Sequence, residues 1–226
     1  GNASWQFPKK PYRLKFDKKQ QLLDAPAKAK KWTLINNYGD KTLMRNILAF
    51  EISRRMGMPY TPYCRPVEVI LNGEYKGCYQ LCDQIEVNEN RINITEMEKE
   101  DITQPNLSGG YHIEIDSYAW SEASYFVSNK GIPVTIKSPD EDDIVKQQRD
   151  YITTYFNNFE RAVFADNFTD GNNGYRKYLN IESFLRYVLI EELCGNPDEL
   201  WSIHLTKERN SDKLNVALVW DFDIAF

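Results

Sequence analysis

An Asn-Gly pair between two apolar stretches is the feature that most constrains the fold of this chain. In "RPVEVILNGEYKGCYQLCDQI" (65–85), apolar runs flank the turn "NGEYKG". Such a pattern is a strong short-range signal of a β-hairpin. The segment before it (39–59) has an N-cap candidate at Asp40, apolar residues at helical spacing, and a stop at Gly57 and Pro59. We therefore predict a helix, buried over much of its circumference, followed by a hairpin.

Two strands are predicted ahead of that helix. "PYRLKF" alternates apolar and basic residues, as a half-buried strand does, and "WTLINN" reads as a short second strand. The first part of the chain thus runs strand, strand, helix, strand, strand. We place its boundary after residue 86.

The remainder (87–226) is predicted to be richer in helix. "DDIVKQQRDYITTYFNNFERAVFA" and "IESFLRYVLIEELCG" have helical periodicity, whereas "GGYHIEIDSY" and "IPVTIKS" are strand-like. Near the end, "SIHLTKERNSDKLNVALVW" reads as strand, turn, strand. We expect an α+β fold with two unequal lobes, 1–86 strand-rich and 87–226 helix-rich.

Composition excludes some classes of partner. The net charge of -5 and pI near 5.2 do not favour nucleic acid, and the longest apolar runs are too short to cross a membrane. The chain begins without Met, so a removed leader is possible and the compartment stays open. For the four cysteines, buried free thiols, one disulfide and a metal site all remain open, in that order of preference.

Three aspartates could carry chemistry. Asp198 follows a predicted buried helix in "GNPDE", and Asp221 and Asp223 lie in "WDFDIAF" after a predicted buried strand. A hairpin between the two segments would return Asp221 near Asp198. One or two carboxylates, with water and phosphate completing the shell, suit Mg²⁺. We expect limited water access at Asp221, because Trp220 and Phe222 flank it. Acids that solvate loops are the alternative, above all for Asp223.

The order of these parts is that of a protein kinase, although no GxGxxG, HRD or DFG string is present. Several strings resemble the spore coat protein H (CotH) kinase family of atypical protein kinases. They run the length of the chain: "GNASWQFPKKPYRLKF", "RNILAFEISRRMGMP", "LNGEYKGCY", "GGYHIEID", "IKSPDEDD", "GNPDE" and "WDFDIAF". Members usually carry an arginine before the first string and continue past "WDFD", so we expect the domain to extend beyond both ends of this chain.

The resemblance implies an atypical kinase fold, ATP, magnesium, and transfer of phosphate to Ser or Thr of a protein. Asp198 matches the catalytic-loop acid, and Asp221 matches the metal-binding acid, with help expected from Asp223. Lys15 is our candidate for the lysine on the nucleotide phosphates. Ser4, in the "GNAS" turn, is expected over those phosphates.

Two further residues are assigned to the nucleotide site on the same basis. Glu51, on the first helix, is expected to pair with Lys15; ion pairs with Arg54 or Arg55 on its own helix are the alternative. Asp83 stands where the family often has Glu, which is expected to shift a nucleotide contact. Ser202 is the nearest small polar residue after Asp198, so a second metal is not expected there.

Other polar residues have weaker claims. Lys137 and Arg45 are possible phosphate contacts, and each also has a structural reading, as a surface strand lysine and as a helix anchor. Asp116 is a possible third acid of the site. His112 is expected to be a half-buried sheet residue and not a ligand.

Two other functions remain open. The chain could be a non-catalytic kinase-like module that binds a glycan or a protein, or a metal-dependent hydrolase that uses Asp198, Asp221 and Asp223 without nucleotide. The family's habits indicate an extracytoplasmic location, secreted, periplasmic or on the surface, with any membrane contact made through a lipid anchor outside this chain.

Overall fold

The computed structural model of the protein describes residues 4–226. Within that range the chain forms three α-helices and nine β-strands. The helices are α1 (Arg45–Arg55), α2 (Lys146–Val163) and α3 (Ile181–Cys194). The strands are β1 (Tyr12–Gln20), β2 (Ala29–Ile35), β3 (Cys64–Leu71), β4 (Glu74–Asp83), β5 (Tyr111–Ile115), β6 (Tyr125–Val127), β7 (Pro133–Ser138), β8 (Ile203–Lys207) and β9 (Leu214–Leu218).

The first four strands form an antiparallel sheet in the order β1-β2-β4-β3. The predicted hairpin is confirmed as β3 and β4, joined by Asn72 and Gly73, which both have positive φ. A two-residue turn of this kind matches the twist of the flanking strands. The predicted order of strand, strand, helix, strand, strand is therefore correct.

The two faces of this first sheet have different chemistry. Directly opposed residues share a face, so Trp32 lies with Asp83, and Leu34 lies with Leu81. Trp32, Leu34 and Leu81 belong to a small apolar core on that side. The other face carries the Thr33 and Cys82 pair, and Cys82 packs in the core that the sheet shares with α1 and the second sheet.

Helix α1 begins at Arg45 with Met44 as its N-cap residue, so the prediction that Asp40 is the N-cap was wrong. The Asp40 side chain nevertheless caps the first helical N–H group from the preceding turn. The buried Asp40 carboxylate accepts hydrogen bonds from the backbone N–H groups of Thr42 and Arg45, both at 2.9 Å. The expectation that the helix is buried on most sides was wrong, because Leu48 is exposed, as is Met44 just before the helix. Its buried face is narrow: Asn46, Ala49, Phe50 and Ser53.

The second sheet is five-stranded and antiparallel, in the order β6-β7-β5-β8-β9. It lies in the same part of the chain as α2 and α3, so this part is mixed α and β. Its apolar face packs on both helices, through Ile113 and Val216 of the sheet with Ile152 and Ile190 of the helices. The molecule is thus an α+β protein with two antiparallel sheets, an arrangement consistent with a two-lobed kinase-like fold.

The two glycines directly before β5 have no room for a side chain. A Cβ atom added to Gly109 would lie 2.2 Å from the backbone of Glu208, and one added to Gly110 would lie 2.3 Å from the carbonyl oxygen of Thr95. Gly110 also has φ of +110°, which side chains rarely adopt. Only glycine therefore fits at these two positions.

One apolar core extends across both sheets. It includes Phe50 of α1, Cys82 of β4, Ile113 of β5 and Phe222 near the chain end. The Phe50 ring stacks on Trp220 with ring centroids 5.8 Å apart. The predicted division after residue 86 falls between the two sheets in sequence, and it stays a prediction.

Helix α3 has one exposed apolar stripe. Leu185, Leu189 and Leu193 are each more than half exposed. No helix between residues 4 and 226 combines the length and apolar character needed to cross a bilayer.

All four cysteines are free thiols. Cys64, Cys82 and Cys194 are buried, as the preferred interpretation predicts, whereas Cys78 is exposed.

Candidate active site

The first aspartate of the site lies in the loop after α3. Gly195 ends the helix in the left-handed conformation, which turns the chain sharply. The Asn196 side chain then accepts a hydrogen bond from the Asp198 backbone N–H at 3.3 Å, and the Asp198 carbonyl accepts one from Trp201 N–H at 3.0 Å. These contacts place Asp198, which is half-buried, in a fixed turn.

Helix α3 supports that turn from below. The buried Glu191 carboxylate accepts a hydrogen bond from the Asn196 side-chain amide at 2.9 Å. Tyr187 donates its hydroxyl to the Glu199 carbonyl at 2.7 Å. Burial raises the pKa of Glu191 to about 7, and the nearby carboxylates of Glu199 and Asp198 add to the rise.

The predicted hairpin between the acids is confirmed. Strands β8 and β9 are antiparallel, with His204 opposite Leu218. The chain leaves β9 and reaches Asp221, whose φ of +67° is uncommon for a non-glycine residue. Asp tolerates this conformation better than most residues, and such strain is often found at functional sites.

Asp221 lies at the surface, so the expected limit on its access to water was wrong. Its side chain is exposed, although neighbouring protein atoms still desolvate the carboxyl group. Asp223 is half-buried, and Phe222 between them is fully buried. The buried phenyl ring anchors the segment while both carboxylates remain accessible.

The three aspartates lie close enough to repel one another. Desolvation and the charge of Asp223 raise the pKa of Asp221 to about 6, with a smaller contribution from Asp198. Desolvation, then Asp223, also raises the pKa of Asp198. This mutual effect indicates that the hairpin places Asp198, Asp221 and Asp223 within electrostatic range of one another.

Helix α1 holds the segment that carries Asp221 and Asp223. The Asn46 side-chain oxygen accepts a hydrogen bond from Phe222 N–H at 2.9 Å. Arg45 donates a hydrogen bond to the Asp223 carbonyl at 2.9 Å and lies 3.8 Å from an Asp40 carboxylate oxygen. Arg45 thus anchors the helix, which is the structural role that was the alternative to a phosphate contact.

Asn46 was not predicted from the sequence. The available signal was its spacing, because Asn46 lies three and four positions before Ala49 and Phe50, on one face of the helix. Gly39, on the loop before α1, lies beside the same segment. A Cβ atom at Gly39 would be 3.9 Å from Asp223 Oδ2.

The donor set fits a weakly held, partly hydrated divalent cation. Carboxylate oxygens are the ligands that Mg²⁺ prefers, and a cation would relieve the repulsion that raises the pKa of Asp221. Within residues 4–226, no three His, Cys, Asp or Glu side chains converge as a preformed metal shell. A site with two carboxylates, completed by water and phosphate oxygens, needs no such shell.

Lys15 lies on the face of the first sheet that meets α1. It is opposite Lys31 on β2, and Arg13 is opposite Thr33. Because Thr33 and Cys82 share that face, all three basic residues project on the side of the shared core. Arg13 and Lys31, which were not predicted from the sequence, extend the same basic stripe.

The predicted Lys15–Glu51 pair is replaced by the alternative. Glu51 forms ion pairs on its own helix, with Arg54 at 2.5 Å and with Arg55 at 2.7 Å. These residues are three and four positions along the helix from Glu51, so they are its surface neighbours.

Asp83 also departs from its predicted role. Its carboxylate lies 3.0 Å from Arg91 Nε and accepts hydrogen bonds from the Tyr60 hydroxyl at 2.8 Å and from Tyr63 N–H at 3.0 Å. It is buried on the Trp32 face, opposite to Lys15. A nucleotide on the Lys15 face does not reach this carboxylate, which is accounted for by its protein partners.

Ser4 begins a short 3₁₀ helix, Ser4–Gln6, and its carbonyl accepts a hydrogen bond from Phe7 N–H at 3.3 Å. The rest of the "GNAS" turn lies outside the described residues. The predicted contact of Ser4 with phosphate stays a prediction. Ser202 is half-buried with positive φ, directly ahead of β8.

A polar network lies on the second sheet. His112 is fully buried, more than expected, and its Nε2 lies 2.9 Å from Nδ1 of His204. Lys137 forms a 2.9 Å ion pair with Glu114. Burial, and then the charge of Lys137, lower the pKa of His204 to about 3, so the imidazole of His204 is neutral near pH 7. Asp116 accepts a hydrogen bond from Thr135.

Comparison with known protein families identifies one that covers the chain. The family model described as "CotH kinase protein" matches residues 1–226, which is the whole chain. No curated protein matches it in sequence. Because the family match covers the whole chain, the protein belongs to the CotH kinase family.

Proposed function

We propose that the protein is an ATP- and magnesium-dependent kinase that transfers the γ-phosphoryl group to a Ser or Thr hydroxyl of an acceptor protein. Membership of the CotH kinase family supports a kinase-like protein. The finer assignment rests on the electrostatic contact between Asp198, Asp221 and Asp223.

Each aspartate has a distinct role in this proposal. Asp221 and Asp223 hold magnesium, which when bound supplies charge neutralisation to the nucleotide phosphates. Asp198 orients the acceptor hydroxyl and takes its proton. The raised pKa of Asp198 favours this role, because a general base works best when its pKa approaches the operating pH.

The basic face of the first sheet supplies the complementary charge. Arg13, Lys15 and Lys31 share this face with Cys82, and Cys82 belongs to the same apolar core as α1 and Phe222. A phosphate chain between this face and the aspartates would be neutralised from both sides. Lys15 remains our candidate for the phosphate contact, with Lys31 as an equivalent on the neighbouring strand.

Thermal shift with ATP and magnesium tests the proposal. A ligand that binds only the folded state raises the unfolding midpoint by mass action. We expect a magnesium-dependent rise for the native chain and its loss in Asp221→Asn. The matched control is Asp17→Asn, an exposed aspartate on β1, which should keep the rise.

Transfer to protein is the second arm of the test. Radiolabelled ATP and a mixture of candidate acceptor proteins should give label on Ser or Thr that is lost in Asp198→Asn. A folded native chain that shows no midpoint rise with ATP and magnesium would contradict the kinase assignment. Metal-dependent release of phosphate from a phosphoester substrate, with no nucleotide present, would instead favour a metal-dependent hydrolase.

One observation favours a second candidate, a non-catalytic binding module. Tyr118 and Trp120 are neighbouring aromatic side chains that are 48% and 63% exposed. Exposed aromatic faces can stack on sugar rings. Binding of a glycan array by the native chain, lost in Trp120→Ala and kept in Asp221→Asn, would support the module in place of the kinase.

A further inference from the structure

Two of the buried thiols lie directly opposite each other in the first sheet. Cys64 is the first residue of β3, and its Cα partner on the antiparallel strand β4 is Cys82. Both side chains belong to the core shared with α1. The exposed Cys78 is paired with Glu68 and lies four residues away along β4, so Cys82 is the thiol that faces Cys64.

The hydrogen bonds around this pair define its geometry. In antiparallel sheets, opposed residues either exchange both backbone hydrogen bonds or lie between two such pairs. Asp83 N–H donates to the Tyr63 carbonyl at 3.0 Å. These two residues flank the cysteines on either strand, so Cys64 and Cys82 form a non-hydrogen-bonded pair.

That register suits a covalent link. Non-hydrogen-bonded partners have Cα atoms about 4.5 Å apart, with their side chains closer than in the other register. Disulfides need a Cα separation of roughly 4.4–6.8 Å. The backbone therefore already satisfies the first requirement for a bond between the two sulfur atoms.

The two thiols are chemically unequal. The pKa of Cys64 is lowered, first by a hydrogen bond from the Cys82 thiol and then by the charge of Arg54, although burial opposes this. Burial raises the pKa of Cys82, so it keeps its proton. Cys64 is also 9% exposed, whereas Cys82 is fully buried. Cys64 is thus the nucleophile and Cys82 the resolving thiol.

We propose that Cys64 and Cys82 are a redox modification site that closes to an intramolecular disulfide when a hydroperoxide is present. The Cys64 thiolate attacks the peroxide oxygen; the O–O bond breaks and, with a proton, water or an alcohol leaves, which gives a sulfenic acid on Cys64. The Cys82 sulfur then attacks the Cys64 sulfur, and water leaves with the Cys82 proton. The peroxide is reduced by two electrons, and two thiols become one disulfide.

The same sulfur atom is connected to the active site. Gln80 donates its side-chain amide to Cys82 Sγ at 3.2 Å, and its oxygen accepts a hydrogen bond from Asn37 at 3.3 Å. Asn37 lies two residues after the end of β2 and two residues before Gly39, which borders Asp223. Closing the disulfide moves Cys82 Sγ towards Cys64 and removes the acceptor of Gln80. We expect the loop 36–40 to respond.

Peptide mapping tests the link. The native chain, fully reduced and then treated with hydrogen peroxide, is blocked with iodoacetamide and digested with trypsin. Arg65 precedes Pro66, so trypsin leaves Cys64 in peptide 56–76 and places Cys78 and Cys82 in peptide 77–91. We expect these two peptides to be joined, with a mass two hydrogen atoms lower than the sum of the two reduced peptides. Fragmentation should place the bond at Cys82.

Matched variants separate the thiols. Cys78→Ser should still form the link, whereas Cys64→Ser and Cys82→Ser should both lose it. Thiol titration in denaturant should fall from the four free cysteines to two. A link through Cys78 or Cys194, a disulfide between chains, or four thiols remaining after peroxide would each overturn the proposal.

Hydrogen exchange tests the connection to the loop. We expect faster amide exchange over residues 36–40 in the oxidised chain than in the reduced chain, and no difference on peroxide treatment of Cys82→Ser. Unchanged exchange in a chain shown to carry the disulfide would contradict the connection. These measurements use no nucleotide, so they are independent of the kinase assignment.

Discussion

Arg91 shows how much a single side chain contributes to stability in the segment that connects the two sheets along the chain. It is buried, lies 3.0 Å from Asp83 and 2.7 Å from Glu86, and donates hydrogen bonds to the Lys31 and Gln84 carbonyls. Its guanidinium also lies 4.8 Å from the Trp32 ring centroid. One arginine therefore ties β2, the end of β4 and the following segment together.

We expect Arg91→Met to lower the free energy of unfolding by about 3–5 kcal/mol, because it leaves the buried Asp83 carboxylate without its charged partner. Urea denaturation measures this loss. The control is Lys99→Met, since the Lys99–Asp143 pair is exposed and such pairs contribute about 0–1 kcal/mol. Equal effects of the two substitutions would contradict the interpretation.

Glu191 gives a prediction about pH. Its pKa is raised to about 7 by burial, whereas an unfolded carboxyl titrates near 4.3. A raised carboxyl pKa stabilises the fold below the unfolded value, and this contribution is lost as pH rises towards 7. Glu191→Gln mimics the protonated form and keeps an acceptor for Asn196, so it should not lose that contribution.

We therefore expect the variant to become more stable relative to the native chain between pH 5 and pH 8, by on the order of 1–3 kcal/mol. Denaturation of both chains at the two pH values measures the difference, in which the other titrating groups cancel. A stability difference that does not change with pH would show that Glu191 titrates normally. Glu192→Gln, on the exposed side of α3, is the matched control.

At the scale of elements, α1 is the connection between the first sheet and the aspartates. Its N-terminus is fixed by Asp40, and its first turn contacts Phe222 and Asp223 through Asn46 and Arg45. A change in the cap should therefore affect both stability and the position of the acidic segment.

Asp40→Ala removes the acceptor for two backbone N–H groups, so we expect a loss of about 1 kcal/mol in unfolding free energy and a smaller midpoint rise with ATP and magnesium. Lys41→Ala, next to it and exposed, should change neither. A loss of stability with the full ligand response retained would show that the cap does not position the site.

The elements show what the sequence can and cannot predict. The hairpin, α1, α2, α3 and the β8–β9 return were all predictable, because hydrophobic period and Asn-Gly, Gly and Pro signals are local. Strand β6 has three residues and was missed, since so short a strand carries no period. The exposed leucines of α3 were read as buried, because periodicity reports that a face is apolar and not that another element covers it.

The site was predictable in its acids and not in its supporting contacts. Asp198, Asp221 and Asp223 follow helix and strand ends, and the return of a hairpin is enough to bring them together. The partners of Asp83 and Glu51 depend on which sheet face and which helix face they occupy. Lys15 and Asp83 were assigned to one ligand, yet the strand register places them on opposite faces.

For the whole molecule, the decisive feature is that one core crosses both sheets. Phe50, Cys82, Ile113 and Phe222 are parts of the same buried cluster. Since the two parts share their apolar core, we expect them to unfold in a single cooperative step, whatever division the sequence indicates between 1–86 and 87–226.

Phe50→Ala tests this cooperativity. We expect a loss of about 3–5 kcal/mol, with the transitions followed by tryptophan fluorescence and by far-ultraviolet circular dichroism moving together. Phe184→Ala, a partly exposed phenylalanine on α3, should have a smaller effect. Separate transitions by the two probes would mean that the sheets unfold independently.

The lack of space around the two glycines before β5 has a consequence for genetics. Gly109 and Gly110 lie against the backbone of other segments and leave no room for a methyl group, yet neither has a side chain that could hold a substrate or transfer a proton. In a saturation screen of this gene they should tolerate substitution as poorly as Asp198 or Asp221. Loss of function alone would not distinguish a residue needed for folding from a residue needed for chemistry. The amount of each variant protein in the cell would distinguish them. We expect glycine variants to be degraded, whereas aspartate variants should accumulate as folded protein without activity.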